Sequence, residues 1–287
     1  MILRPTVPLA LVLGAFFLVP AALFPAQAAE VCHYAGTGTQ SGQLAVDTVA
    51  STANGERTVS VASRIEGRYL GIFRFQYLHQ EITVWRDGEL RQLGVNHRYS
   101  LNGSVKRQQW DVFTRTPEGM MARRAQAKTL TDLQAHHPGF TRFWSPATFG
   151  QPWLAAYDTA GAERRADLDL PAAAMPRGTG TPLAMGFHWI RWFDTNGRTV
   201  PLFLAGFKED PRIDVPVTLI GTEPDGTRQL RVTVRHPKLN PGVPSFGDAW
   251  VTPDHRLTRV VFEGHGRKGD VRGEVRLERC EGDLRTP

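Results

Sequence analysis

The chain has 287 residues, 41% of them hydrophobic, and 34 Lys and Arg against 28 Asp and Glu give a formal net charge of +6. The basic excess is arginine spread along the sequence; Lys106, Lys128, Lys208, Lys238 and Lys268 stand apart, and no cluster of five basic residues occurs, so no nucleic-acid partner is expected. With two cysteines, Cys32 and Cys280, there is no Cys-x-x-Cys pair to hold zinc.

Residues 1–28 read as a secretory signal peptide. Arg4 precedes an apolar stretch from Leu9 to Phe24, and Ala26-Gln27-Ala28 is a small-x-small cleavage site. The stretch is broken by Pro20 and Pro25 and is short for a bilayer span, so no stable transmembrane segment is expected after cleavage. The mature chain, 29–287, is expected to be periplasmic or secreted and to form a single β-rich domain. In an oxidising compartment Cys32 and Cys280 can form a disulfide. It would close a loop of about 250 residues, worth about 5 kcal/mol in the chain-entropy model, and set the first and last strands side by side. Two buried free thiols are the alternative.

From Ala45 onward the dominant signal is a short strand, a tight turn and another strand. Asn54-Gly55, Asp87-Gly88, Asn102-Gly103, Asn196-Gly197 and Asp225-Gly226 suit the positive φ of hairpin turns. The flanks alternate: Val59, Val61 and Ile65 share a face, as do Leu93, Val95, His97 and Tyr99, and as do Leu230, Val232 and Val234. Tyr69, Phe73, Phe75, Tyr77 and His79 are expected on one strand face, with Trp189 and Phe193 together on a later strand. Segments starting at Trp85, Trp192 and Trp250 read as one hairpin device used three times. Residues 114–182 break the alternation. "EGMMARRAQAKTLTDLQAHH" predicts a helix over 118–137, and the aromatic- and proline-rich stretch after it predicts a loop that covers the sheet. The fold class is therefore mainly β: a curved antiparallel meander forming a half-barrel or open barrel, with a mixed helical and loop cover. A transmembrane β-barrel is the competing all-β choice; arginines on both faces of several strands and the non-alternating middle speak against it.

The run from Tyr77 to Asn102-Gly103, "FWSPATFGQPWLAAYDTAG" and "RWFDTNGRTVPL" together resemble an uncharacterised exported family of bacterial domains of unknown function, over about residues 33–220. That resemblance implies an exported β-rich domain with no assigned reaction or cofactor. Related exported domains are similar to the curved sheets of periplasmic lipoprotein carriers.

Catalytic motifs are absent. None of the nine histidines lies in a His-x3-His or His-Glu-x-x-His arrangement, and adjacent His136 and His137 point apart on most backbones, so no metal is expected. No Gly-x-Ser-x-Gly elbow occurs, and Gly36-x-Gly38 and Gly178-x-Gly180 lack the further glycine of a phosphate cradle; no cofactor is expected. The leading reading is non-enzymatic: a cell-envelope protein binding a lipid or other amphiphile on a concave, aromatic-lined sheet. Tyr69, Phe73, Phe75, Tyr77, His79, Trp85, Trp189 and Trp192 are the candidate ligand-binding residues. Core packing against the cover is the structural alternative for the same stripe. A second reading binds envelope polysaccharide on Trp85 and Trp192, or is purely structural. A third is a hydrolase using scattered carboxylates such as Asp87 and Asp194, both at turn positions where aspartate serves local hydrogen bonding.

Overall fold

The computed structural model describes residues 28–38, 42–53, 55–69, 72–116, 119–126, 140–144, 152–157, 170–171, 179–193, 198–203, 212–235, 245–266 and 269–282. The leader expected over 1–28 lies outside them as far as residue 27. Seven successive strands come first: β1 (Ala28–Gly38), β2 (Gly42–Ala53), β3 (Glu56–Tyr69), β4 (Phe73–Arg86), β5 (Glu89–Leu101), β6 (Ser104–Thr116) and β7 (Gly119–Gln126). The pair β8 (Phe140–Trp144) and β9 (Pro152–Tyr157) forms a separate two-stranded sheet, with β9 running beside β5 and β6. Then come β10 (Leu170–Pro171), the helix α1 (Pro182–Phe187), a 3-10 turn (Trp189–Trp192) and β11 (Arg198–Phe203). The chain closes with β12 (Arg212–Thr222), β13 (Arg228–Val234), β14 (Ser245–Val251), β15 (Leu257–Gly266) and β16 (Gly269–Gly282).

Fourteen of these strands make one antiparallel sheet in the order β10, β7 through β1, then β16 through β11. It does not close: β10 and β11 are its edges. Two meanders therefore form two wings, joined where β1 pairs with β16. Cys32 and Cys280 are register partners at that seam and are disulfide-bonded. The wings approach closely there; a Cβ on Gly36 would sit 1.8 Å from the Glu274 carbonyl oxygen, so only glycine fits.

The Asp-Gly and Asn-Gly pairs are joints. Asp87 and Gly88 between β4 and β5, and Asn102 and Gly103 between β5 and β6, all have positive φ, from 48° to 78°, as the tight turns of twisted hairpins require. Asn196-Gly197 lies outside the described residues. Alternation then sorts side chains by face. Val59 and Val61 of β3, Leu93 and Val95 of β5, and Val215 and Val217 of β12 are buried on the inner face, while Asp214, Pro216 and Thr218 between them are exposed.

Four expectations are corrected. Gly119–Gln126 is the strand β7, paired with β6, and not the start of a helix; residues 127–137 lie outside the described set. The open edge of β6 offers a full ladder of backbone hydrogen bonds, which outweighs the preference of Ala, Met, Arg and Gln for helix, worth only tenths of a kcal/mol per residue. Trp189 and Phe193 do not lie on a strand: Trp189 opens the 3-10 turn and Phe193 closes it. Pro182, at the first position of α1, favours helical φ there, and the apolar residues behind it bury inside the sheet on several sides. Trp192 consequently opens no hairpin, unlike Trp85 and Trp250. Finally, Tyr69 ends β3 and pairs with Phe73 across a turn, so the expected five-residue aromatic face is split between two strands.

Candidate functional site

The segment 179–193 occupies the interior of the curved sheet, and both wings hold it. Gly180 adds a parallel bridge to β11: its N–H donates to the Pro201 carbonyl, and its own carbonyl accepts from Phe203 N–H, both at 2.9 Å. From the first wing, the Trp85 indole N–H donates to the Thr179 carbonyl at 3.2 Å. Glu81 Oε2 accepts the Leu183 N–H at 3.0 Å, at the start of α1. Arg191 and Glu30 form a buried bidentate ion pair that ties the 3-10 turn to β1.

Two cavities flank this segment. One, of about 400 Å³, lies between α1 and strands of both wings; Leu44, Val46, Ile65, Leu202, Val234 and Phe262 are among its walls. The other, of about 440 Å³, is walled by Trp85, Trp189, Trp192 and Phe193, with Arg57 and Arg198. Met185 lines both.

In the second cavity Trp85 and Trp189 meet edge to face at 5.0 Å, and the Arg57 guanidinium lies 5.2 Å from the Trp189 ring centre. Trp192 stacks on His255 at 4.7 Å. His188, buried beneath, packs edge to face on Trp189. Burial, then the charges of Arg191 and Arg57, push the His188 imidazole down to about 3, so it is neutral near pH 7.

A polar strip crosses the inner face of β4 and β5. The Tyr77 hydroxyl lies 2.8 Å from His97 Nδ1, His97 Nδ1 lies 3.0 Å from His79 Nδ1, and His79 Nε2 lies 3.1 Å from Glu81 Oε1. Burial alone would raise the Glu81 carboxyl. Hydrogen bonds and charge from His79, with the Leu183 amide, outweigh it and hold Glu81 below the usual carboxylate range. The strip positions groups for proton exchange, and its far end anchors α1.

The eight residues singled out by sequence therefore fall into three groups. Trp85, Trp189 and Trp192 meet in one cavity; Tyr77 and His79 share the polar strip; Phe73 and Phe75 lie toward the β3–β4 turn, opposite Tyr69 and Gly67. Arg57, Glu81, His97, Met185, His188 and Arg198 were not among them. Three had a signal: Arg57 is in phase with inward Val59 and Val61, Glu81 with Tyr77 and His79, and His97 with Leu93 and Val95. Asp87 sits exposed at its turn, on the rim of the second cavity, and Asp194 lies outside the described residues.

Among the described residues the cluster of acidic, His or Cys groups close enough to share an ion is Glu30, Cys32 and Cys280. Both sulfurs are in the disulfide and Glu30 is paired with Arg191, so these groups offer no thiolate to a metal. Among the described residues, no helix is long and apolar enough to cross a membrane.

No protein-family model and no curated protein matches the chain. Among solved structures it is similar to a β-barrel-like protein of the domain of unknown function DUF1849 from Brucella abortus. The two share 10% sequence identity at a TM-score of 0.53, over 90% of this chain and 98% of the other. At that identity the likeness is one of fold: a curved, barrel-like β-sheet, found in a protein whose own role is not assigned.

Proposed function

We propose that the protein is an exported cell-envelope component that holds the apolar part of a lipid or other amphiphile inside its curved sheet. The observation that carries this reading is the cavity of about 400 Å³ between α1 and the inner face, walled chiefly by aliphatic and aromatic side chains. A cavity of that size and lining suits hydrocarbon better than water. Burying about ten methylenes would gain about 8 kcal/mol before the costs of ordering the chain. Export is supported by the leader-like residues 1–28 and by a disulfide that needs an oxidising compartment. The place of binding shifts from the sequence expectation, away from Phe73 and Phe75 and toward the cavities beside α1.

The polysaccharide reading finds less support, because Trp85 is buried and packs on Trp189 and so offers no open platform to a sugar ring. Native mass spectrometry of protein purified from the periplasm tests the proposal. A lipid-sized mass should accompany the chain and be lost from Val234→Trp, which fills the cavity, while the variant keeps its circular dichroism. A bare wild-type mass, together with no uptake of a fluorescent fatty acid, would sink the reading.

A further inference from the structure

We infer that the tryptophan-walled cavity receives the headgroup of that amphiphile, and that the headgroup is an oxyanion, with Arg57 and Arg198 as its counter-charges and Met185 as the partition between head and chain. The inference rests on the amphiphile reading and adds the chemical class of its polar end.

Four features lead to it. First, the cavity is rich in donors. The indole N–H groups of Trp189 and Trp192 are buried with no acceptor, whereas that of Trp85 is taken by the Thr179 carbonyl. An indole nitrogen can only donate, and a buried donor without a partner costs about 1–3 kcal/mol. A ligand oxygen in this cavity would supply what the protein does not. Second, positive charge outnumbers negative there, Arg57 and Arg198 against Asp87. Arg198 makes no ion pair or side-chain hydrogen bond among the described residues, and Arg57 holds its guanidinium over Trp189 in a buried position. Arg191, close enough to act on both Arg57 and His188, is already neutralised by Glu30, and Asp87 stands on the exposed rim. Third, the aromatic walls lower the dielectric on the side of the cavity where the Arg57 guanidinium lies, which strengthens a charge–charge contact there. Fourth, the two cavities share a wall. Met185 lines both, and its Cε lies 3.4 Å from where a Cβ on Gly180 would be. An unbranched thioether can swing aside, so a chain in the apolar cavity could continue into the polar one. The lining of one cavity is mainly apolar, and that of the other carries the indole donors and arginines, so the pair is graded as an amphiphile is.

Binding of four twelve-carbon probes to the full mature protein, by titration calorimetry and tryptophan fluorescence, tests the inference. Dodecanoate and dodecyl phosphate present the shared oxyanion chemistry, dodecanol is neutral, and dodecyltrimethylammonium is cationic. The anions should bind at least tenfold more tightly than dodecanol, with a change in tryptophan emission. Dodecanoate against dodecyl phosphate ranks a carboxylate source against a phosphate one. Arg198→Gln, on an exposed position and with Arg57 still in place, should lower the anion-to-dodecanol ratio severalfold, and an unchanged ratio would remove Arg198 from the assignment. Equal binding of anions and dodecanol, or preference for the cation, would overturn the headgroup assignment while leaving the chain-binding reading intact. Failure of all four probes to bind would overturn both.

Discussion

The two wings of the sheet are built alike and lined differently. The second wing, β11 to β16, presents Val200, Leu202, Val215, Val217, Leu230 and Val260 inward as a mainly apolar face, with Arg228 of β13 donating to the Arg191 and Phe193 carbonyls. The first wing begins the same way, with Val59, Val61, Leu93 and Val95, but places Arg57, His79, Glu81 and His97 at inward positions of the same strands. Apolar lining alone would make a core. The polar inset has to find partners because it is out of water, and it finds them in one another and in the segment 179–193. The second wing thus packs the interior segment and holds its ends through β11 and Arg228, and the first wing aims α1 through Glu81. The cavities lie where the two kinds of lining meet.

The largest test of this division is to part the wings. Cys280→Ser releases the seam between β1 and β16 and frees a chain separation of 248 residues. The expected loss is up to about 5 kcal/mol in urea unfolding. If the variant matches the wild type in denaturant midpoint, the wings are held by the β1–β16 ladder without the crosslink. Next comes Leu230→Ala in the apolar wing, fully buried and among core neighbours, with an expected cost of about 3 kcal/mol. Glu81→Gln in the polar wing keeps the size of the side chain and an acceptor for Leu183. It should instead speed hydrogen exchange at Leu183 and Met185 with a smaller global loss. Equal global losses from the two variants would remove the distinction between packing and aiming.

How much of this was legible depends on whether neighbours in sequence carried the signal. Period-two alternation and the Asp-Gly and Asn-Gly pairs announce the hairpins, because turn and strand chemistry are local. The expected pairing of the first and last strands rested on Cys32 and Cys280 alone. The tryptophans beside the turns show the limit of local reading: Trp250 lies under Arg259 of the facing strand at 4.3 Å, whereas the hydrogen-bond partner of Trp85 lies 94 residues away. β7 was hidden for a related reason: its residues favour helix, and only the edge of β6 makes it a strand. Arg57 and Glu81 occupy inward positions in phase, yet one charged residue amid an apolar series carries no meaning until the segment it faces is known.

Acid should weaken the hold on the interior segment in two steps. His188 is held near 3 in the folded chain against about 6.5 when unfolded. Between those values the unfolded chain binds a proton that the folded one refuses, so stability falls as pH drops below 6.5, by about 1.4 kcal/mol per pH unit. Glu81 acts lower. Its folded value lies below the ordinary 4.5 of a free glutamate, so the stability it contributes is present above 4.5 and is lost as pH falls through the folded value. His188→Phe, which keeps the ring contact with Trp189, should flatten the decline in melting temperature between pH 6.5 and 4.5 and leave the steeper part beneath it. A variant that follows the wild-type curve throughout would mean that His188 is protonated in the folded state.

The smallest effect is expected on the outer face of the seam. Arg276 and Glu274 lie along β16 and pair at 2.7 Å, with the Arg276 side chain 67% exposed. Arg259 reaches the same carboxylate at 3.0 Å. Water screens both contacts, and Glu274 keeps one partner if the other is removed. Arg276→Ala should therefore change the denaturant midpoint by less than about 0.5 kcal/mol in stability, and less still in high salt. The contrast with Glu81 concerns place more than charge. Inward Glu81 is matched by the segment it faces, whereas outward Glu274, part exposed, is matched by surface arginines and solvent. A loss at Arg276 comparable to that at Leu230 would show that the outer face also holds the wings together, and the division between a packing wing and an aiming wing would then have to include a third surface.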